Sequence, residues 1–142
     1  TDNGSEIVNK ALQLFGGYTY TDAKIIESII AANVGRPFAN IPKHSANLLA
    51  TVMLGDHVEV GGQVHYQSKI FGGSLAAGNA HVPGYVRLDA IARVKPTEWL
   101  EARLNINNLT DKRYYDAIYR SGSPFAYIAP GRSAFLTLAV KL

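Results

Sequence analysis

Apolar and polar residues alternate with a period of two along most of the chain. That spacing puts one set of side chains on each face of an extended strand. The clearest run is His57 to Ser68, where Val58, Val60, Gly62, Val64 and Tyr66 oppose His57, Glu59, Gln63, His65 and Gln67. Tyr85 to Lys95 sets Val86, Leu88, Ala90, Ala92 and Val94 against Arg87, Asp89, Arg93 and Lys95, with Ile91 on the polar side. Leu100, Ala102, Leu104 and Ile106 alternate with Glu101, Arg103, Asn105 and Asn107, and Ser133 to Leu142 repeats the pattern. Leu48, Ala50, Val52 and Leu54 mark an earlier strand. Lys10 to Tyr20, the weakest of the six, carries Leu12, Leu14, Gly16, Tyr18 and Tyr20 on its apolar side.

The links between these strands alternate in length. Gly55-Asp56-His57 and Pro96-Thr97-Glu98 are tight turns, whereas 21–42, 69–82 and 108–132 are long. Ile25, Ile26, Ile29 and Ile30 recur at helical spacing between Asp22 and Gly35, which predicts a short helical turn in the first long link. If each tight turn holds three residues, Leu54 faces Val58, and Val52–Val60, Leu48–Val64 and Asn47–His65 follow. In the second hairpin Lys95 then faces Trp99, with Arg93 opposite Glu101 and Asp89 opposite Asn105. Both registers set apolar against apolar, and the second sets opposite charges against each other.

An alternating antiparallel sheet has two environments open to it. In a soluble barrel or sandwich the apolar face turns inward and the charged face meets water. In a membrane barrel the apolar face meets lipid and the polar face lines a lumen. Periodicity alone favours the soluble reading, and three features reverse it. The apolar faces are mostly small or aliphatic, with few of the aromatics that fill a soluble core. Tyr18, Tyr20 and Tyr66 sit at the strand ends nearest the long loops, where an interfacial girdle belongs. Tight turns lie on one rim and long loops on the other, as in outer-membrane barrels, and strands of about 10–12 residues suit a tilted crossing. Arg87, Arg93 and Arg103 all take the polar parity, so none is set in lipid.

Composition narrows the classes further. With 142 residues the chain is one domain in size, and apolar residues make up 47% of it. Mean hydropathy is zero and no apolar run reaches the roughly 18–20 residues of a spanning helix. The first residue is Thr, with no basic stretch leading into an apolar one, so the expectation is a mature chain or an excised piece. There is no Cys, hence no disulfide or thiolate metal site. A net charge of +3 from scattered Lys and Arg gives no basic stripe for nucleic acid. Six strands fall short of the eight or so with which single-chain outer-membrane barrels begin, so the chain is expected to be part of a larger barrel.

Several segments then resemble one family. Val82-Pro83-Gly84-Tyr85, Leu88-Asp89, the stretch from Asn105 to Tyr115 and Pro130-Gly131-Arg132-Ser133 resemble the C-terminus of TonB-dependent outer-membrane receptors. Gly17-Tyr18-Thr19-Tyr20-Thr21-Asp22-Ala23 and Asn40-Ile41-Pro42-Lys43-His44 resemble the same family upstream, so the likeness runs from about Leu12 onward. It implies an all-β, antiparallel up-and-down transmembrane barrel of 22 strands with an N-terminal plug, of which residues 1–142 would supply roughly the last six strands and last three external loops. It further implies uptake of a ferric siderophore, catecholate in flavour, across the bacterial outer membrane, with the TonB system engaged through a region outside this sequence. Barrels of this kind usually end on an aromatic residue, and Val140-Lys141-Leu142 departs from that pattern. A soluble β-barrel binding module and a passive porin-like barrel are the alternatives.

No catalytic reading competes. Asp and Glu are dispersed, no Ser, His and carboxylate set forms a triad, and no phosphate- or dinucleotide-binding fingerprint is present. His57 and His65 share a face but lie too far apart along a strand for one metal, so neither metal nor cofactor is expected. Asn108-Leu109-Thr110 fits a glycosylation acceptor but reads better as the polar end of a strand. Lys112, Arg113, Tyr114 and Tyr115 read as architecture. The candidates for ligand contact are Tyr119, Arg120 and Tyr127 in the last long loop, with Lys69 and Arg36 in the other two. Such cations and phenols suit an anionic, aromatic-rich chelate.

Overall fold

A computed structural model describes residues 12–73, 80–119 and 123–141. Six long strands form one antiparallel sheet: β1 (Leu12–Tyr20), β2 (His44–Leu54), β3 (Val58–Gln67), β6 (Tyr85–Thr97), β7 (Leu100–Asn107) and β10 (Ser133–Val140), paired in that order. Two small hairpins stand in the second and third long links. They are β4 (Ile70–Phe71) with β5 (His81–Val82), and β8 (Tyr115–Tyr119) with β9 (Phe125–Ile128). The sheet is open, with β1 and β10 at its edges.

Register gives the sheet a simple parity. From β1 to β10 the ladders join even-numbered residues to even ones, apart from Thr97–Leu100 beyond a bulge: Leu14–Ala50, Ala50–Gly62, Gly62–Ala90, Ala90–Ile106 and Ile106–Ala134 make one continuous row. Among the described wall strands the even face carries no Asp, Glu, Lys or Arg. Glu59, Arg87, Asp89, Arg93, Glu101 and Arg103 are all on the odd face. There Arg93 Nη2 meets Glu59 Oε2 at 2.8 Å, and Lys95 Nζ meets Glu101 Oε2 at 3.2 Å. Arg103 is also paired with Glu101. At the long-loop end of the even face, Tyr18, Tyr20 and Tyr66 are exposed. The Tyr18 hydroxyl lies 2.6 Å from His44 Nδ1, and the Tyr20 ring centroid lies 5.2 Å from that imidazole.

The first hairpin has the expected register, from Leu54–Val58 through Val52–Val60 and Leu48–Val64 to Asn47–His65. Gly55, at φ 72°, makes the tight turn possible. The second hairpin does not. Arg93 faces Arg103 and Ile91 faces Asn105, two residues away from the predicted pairing. Strand β6 runs on through Pro96 to Thr97, which pairs with Leu100, so the turn is Glu98-Trp99. Lys95 and Pro96 together oppose Glu101, and this bulge suits a residue without an N–H. A slip of two keeps every side chain on its face, which is why alternation could not detect it. Arg93 finds its acid across β3, at Glu59, rather than on β7.

The short helical turn expected between Asp22 and Gly35 takes the form of a 3-10 turn at Ala31–Asn33, past most of the isoleucines, and Lys24 bridges Pro37 in antiparallel fashion. Ile26 and Ile29 are exposed, so no apolar face is buried to stabilise a helix of β-branched residues. Where this link leaves the sheet, Asp22 pairs with Lys24 at 3.1 Å and Lys43 at 3.8 Å. The hydrogen bond from Lys24, aided by Lys43, holds that carboxyl below the usual carboxylate value.

A single sheet has no second layer, and its tightest apolar packing lies outside it. Ile70 on β4, Val82 on β5 and Ile118 on β8 form a buried cluster, flanked by Ala80, Tyr115 and Ala126. Each such burial is worth about 1.5–3 kcal/mol relative to exposure. The two links predicted as plain loops are thus folded against each other into a cap.

Candidate functional site

The third link leaves the sheet through a fully bonded junction. Asn108, 1% exposed, has φ 52°, a conformation Asn tolerates better than most residues. Its N–H donates to Asp89 Oδ1 at 2.9 Å, and its side-chain Nδ2 donates to the Lys112 and Pro130 carbonyls at 2.9 and 3.3 Å. Its Oδ1 accepts from Lys112 N at 2.9 Å. Asp111 repeats the device at the exit, taking the Arg132 N–H at 2.8 Å. Asp89 also accepts from Arg87 at 2.8–3.2 Å, and Arg87 reaches the Tyr114 hydroxyl at 3.5 Å. Tyr114 is buried, its ring 4.2 Å from that of Tyr85. With its amide committed in this way, Asn108 is no accessible glycan acceptor.

Above the junction stands the β8–β9 hairpin, whose two faces differ in kind. Ile118 and Ala126 are paired across it and turn toward Ile70 and Val82. Tyr119 and Phe125 are paired on the other face, with Tyr127 two residues further along. The Tyr119 and Phe125 rings stack at 4.8 Å and 20°, and Tyr127 lies 5.4 Å from Phe125 at 57°. All three are about half exposed. One extra residue, Asp116, bulges between Tyr115 and Ala117. That bulge sends Tyr115 to the buried side while Tyr119 stays out.

Tyr119 and Tyr127, picked from sequence, are therefore brought together, and Phe125, which sequence reasoning passed over, is what joins them. Its signal was legible: Phe125 and Tyr127 alternate around Ala126. Lys69 and Arg36 are placed on the other two loops. The Lys69 ammonium sits 5.5 Å above the Phe71 ring, which lies 5.8 Å from His81. Arg36 is fixed through its backbone, donating to Asn33 O and accepting from Ile25 N. Arg120 lies outside the described residues. A cleft of about 400 Å³ opens beside the junction on the odd face, lined by Arg87, Asn107, Tyr114, Asp116, Ser133 and Phe135 among others. The site can offer π-stacking, phenol hydrogen bonds and, from neighbouring loops, cations.

The parity of the wall, the folded cap on one rim and tight turns on the other find their match in known proteins. A family model for the β-barrel of TonB-dependent receptor-like proteins matches residues 3–109. The chain belongs to the TonB-dependent receptors. A probable TonB-dependent receptor of Bordetella pertussis, BfrD, is 36% identical over 136 residues, covering 90% of this chain and 18% of that protein. A probable TonB-dependent siderophore receptor of Acinetobacter baumannii, PiuA, is 34% identical over 96% of this chain and 19% of its own length. The crystal structure of PiuA superposes with a TM-score of 0.78 at 33% identity, over 92% of this chain and 19% of that one. The ferric-catecholate import receptor Fiu of E. coli K12, in its closed form, gives 0.75 at 29% identity over 91% and 18%. The chain thus spans about a fifth of the length of these relatives.

Membership of this family decides the environment of each face. The sheet is a segment of an outer-membrane β-barrel wall, even face to lipid and odd face to the lumen. The soluble module and the passive barrel are set aside. These relatives are transport receptors, not enzymes.

Proposed function

We propose that this chain is the C-terminal part of a receptor that takes up a ferric siderophore across the outer membrane with energy from TonB. It supplies about the last six strands and last three external loops of a 22-strand-type barrel, while the plug and the TonB-contacting segment are encoded outside it. The observation that carries this reading is the exposed ladder Tyr119–Phe125–Tyr127, held outward on a hairpin whose other face is buried in the cap. Stacked aromatic rings and phenol hydroxyls suit an aromatic chelate, and the cations carried by the neighbouring loops suit its negative charge. A catecholate ligand combines both features, and the likeness to a ferric-catecholate import receptor supports that choice.

The test uses the full-length receptor in an iron-starved strain that lacks its other receptors. Tyr119→Ala with Tyr127→Ala should lower the affinity for ferric catecholate chelates at least tenfold in purified protein. Uptake at limiting concentration should fall in parallel, with the barrel still assembled. If deleting the whole receptor leaves uptake of ferric catecholates, other ferric chelates and cobalamin unchanged, the transport reading is wrong. If the double variant binds normally while deletion abolishes uptake, the ligand site lies elsewhere.

A further inference from the structure

The three external loops meet at one residue. Asn40, in the first loop, adopts φ 58° and turns its amide onto the edge of β8. Its Nδ2 donates to Ile118 O at 3.1 Å, and its Oδ1 accepts from Ile118 N at 2.9 Å. The N–H and C=O of one strand residue point to the same edge, so a planar amide can bind both as a neighbouring strand would. The same residue's backbone N–H donates to Phe71 O, at the end of β4 in the second loop, at 3.1 Å. Next to that contact Gly73 sits at φ 73°, where a Cβ would lie 2.5 Å from Ala39 N. Only glycine allows the first and second loops this close. Ile118 in turn is the residue whose side chain closes on Ile70 and Val82.

We propose that Asn40 is a positioning residue for the aromatic face. From the first loop it fixes the second through Phe71 and the third through Ile118, so that Tyr119, Phe125 and Tyr127 are presented by one rigid three-loop body. Without it the β8–β9 hairpin loses these two hydrogen bonds to the first loop and keeps its apolar cluster with the second. The significance of this arrangement for ligand capture rests on the reading above, but the coupling itself is tested without ligand.

Hydrogen–deuterium exchange on the full-length receptor in detergent reads it directly. Asn40→Ala keeps the backbone N–H that meets Phe71 but removes the amide, and should speed exchange at least tenfold in residues 115–119, while the wall strands β2 and β3 keep wild-type protection. Faster exchange confined to 21–43, or none, overturns the proposal. Asn40→Asp keeps the acceptor for the Ile118 N–H but loses the donor, and should give intermediate exchange at 115–119. It also serves if the alanine variant fails to assemble, and exchange at 115–119 equal to wild type would then refute the coupling. Gly73→Ala approaches the junction from the second loop and should likewise loosen 115–119. A change restricted to 69–73 would count against a shared body. Because no ligand enters, failure here leaves the transport reading standing, and failure of that reading leaves the coupling standing.

Discussion

At the scale of single residues, the polar groups with the largest consequences sit where strands stop. Asn108 satisfies four backbone groups across the junction, namely its own N–H to Asp89, the Lys112 N–H, and the carbonyls of Lys112 and Pro130. Asn108→Ala strips partners from three of them, in bonds that are part-buried, and each loss costs about 0.5–1.5 kcal/mol. The expected net loss of stability is about 1–3 kcal/mol, because water reaches some of the freed groups. Chemical unfolding of the full-length receptor, followed by the heat-modifiable shift of its folded band, measures it. Thr110→Ala, at an exposed position of the same motif, should change stability by less than about 0.5 kcal/mol. The sequence marked this stretch as dense in polar and aromatic residues. It pointed to architecture rather than a ligand there, but could not say which groups close the turn, because burial of Asn108 and Tyr114 depends on strands far away in the chain.

At the scale of elements, the two hairpins show what pairing rules can and cannot read. In the first, Gly55 and Asp56 leave one reasonable turn, and the register follows. In the second, Pro96 looked like a turn residue but occupies a bulge, which moves the turn to Glu98-Trp99. Cysteine cross-linking separates the two registers, since directly opposed positions have Cβ atoms about 4.5–5.5 Å apart and diagonal ones about 7–8 Å. Ile91→Cys with Asn105→Cys should form a disulfide under mild oxidation of the assembled receptor. Arg93→Cys with Glu101→Cys, opposed only in the register expected from sequence, should form one much more slowly. Equal rates would remove the bulge from the description. The small hairpins β4–β5 and β8–β9 were harder to foresee. With two and five residues in their first strands they give too little alternation to register, and their stability comes from packing on each other.

At the scale of the molecule, the two faces of the wall live in different solvents. Ala90 lies near the middle of its strand on the lipid face, and Ala90→Arg should cost about 2–4 kcal/mol in the assembled barrel. Gln63→Arg, on the lumen face opposite Asp89, should stay within about 1 kcal/mol. Unfolding from lipid vesicles distinguishes these outcomes, and a larger cost for Gln63→Arg would reverse the assignment of faces. The cap is the other molecular feature. It gives the segment its tightest apolar packing and positions the aromatic ladder, while the wall beneath contributes hydrogen-bonded ladders and ion pairs along the lumen.

The sequence by itself determined the strands, their parity, the first hairpin register and the family, because a period of two depends only on neighbouring residues and a family motif only on local order. Parity survives even the two-residue slip at Pro96. Tertiary structure alone decided the bulged register, the exposed ladder through Phe125 and the joining of three loops at Asn40. Each of these depends on groups that meet from distant parts of the chain: Glu59 with Arg93, Ile70 with Ile118, Asn40 with Ile118. Contacts of that kind arise from the closure of long links, which local pattern does not encode.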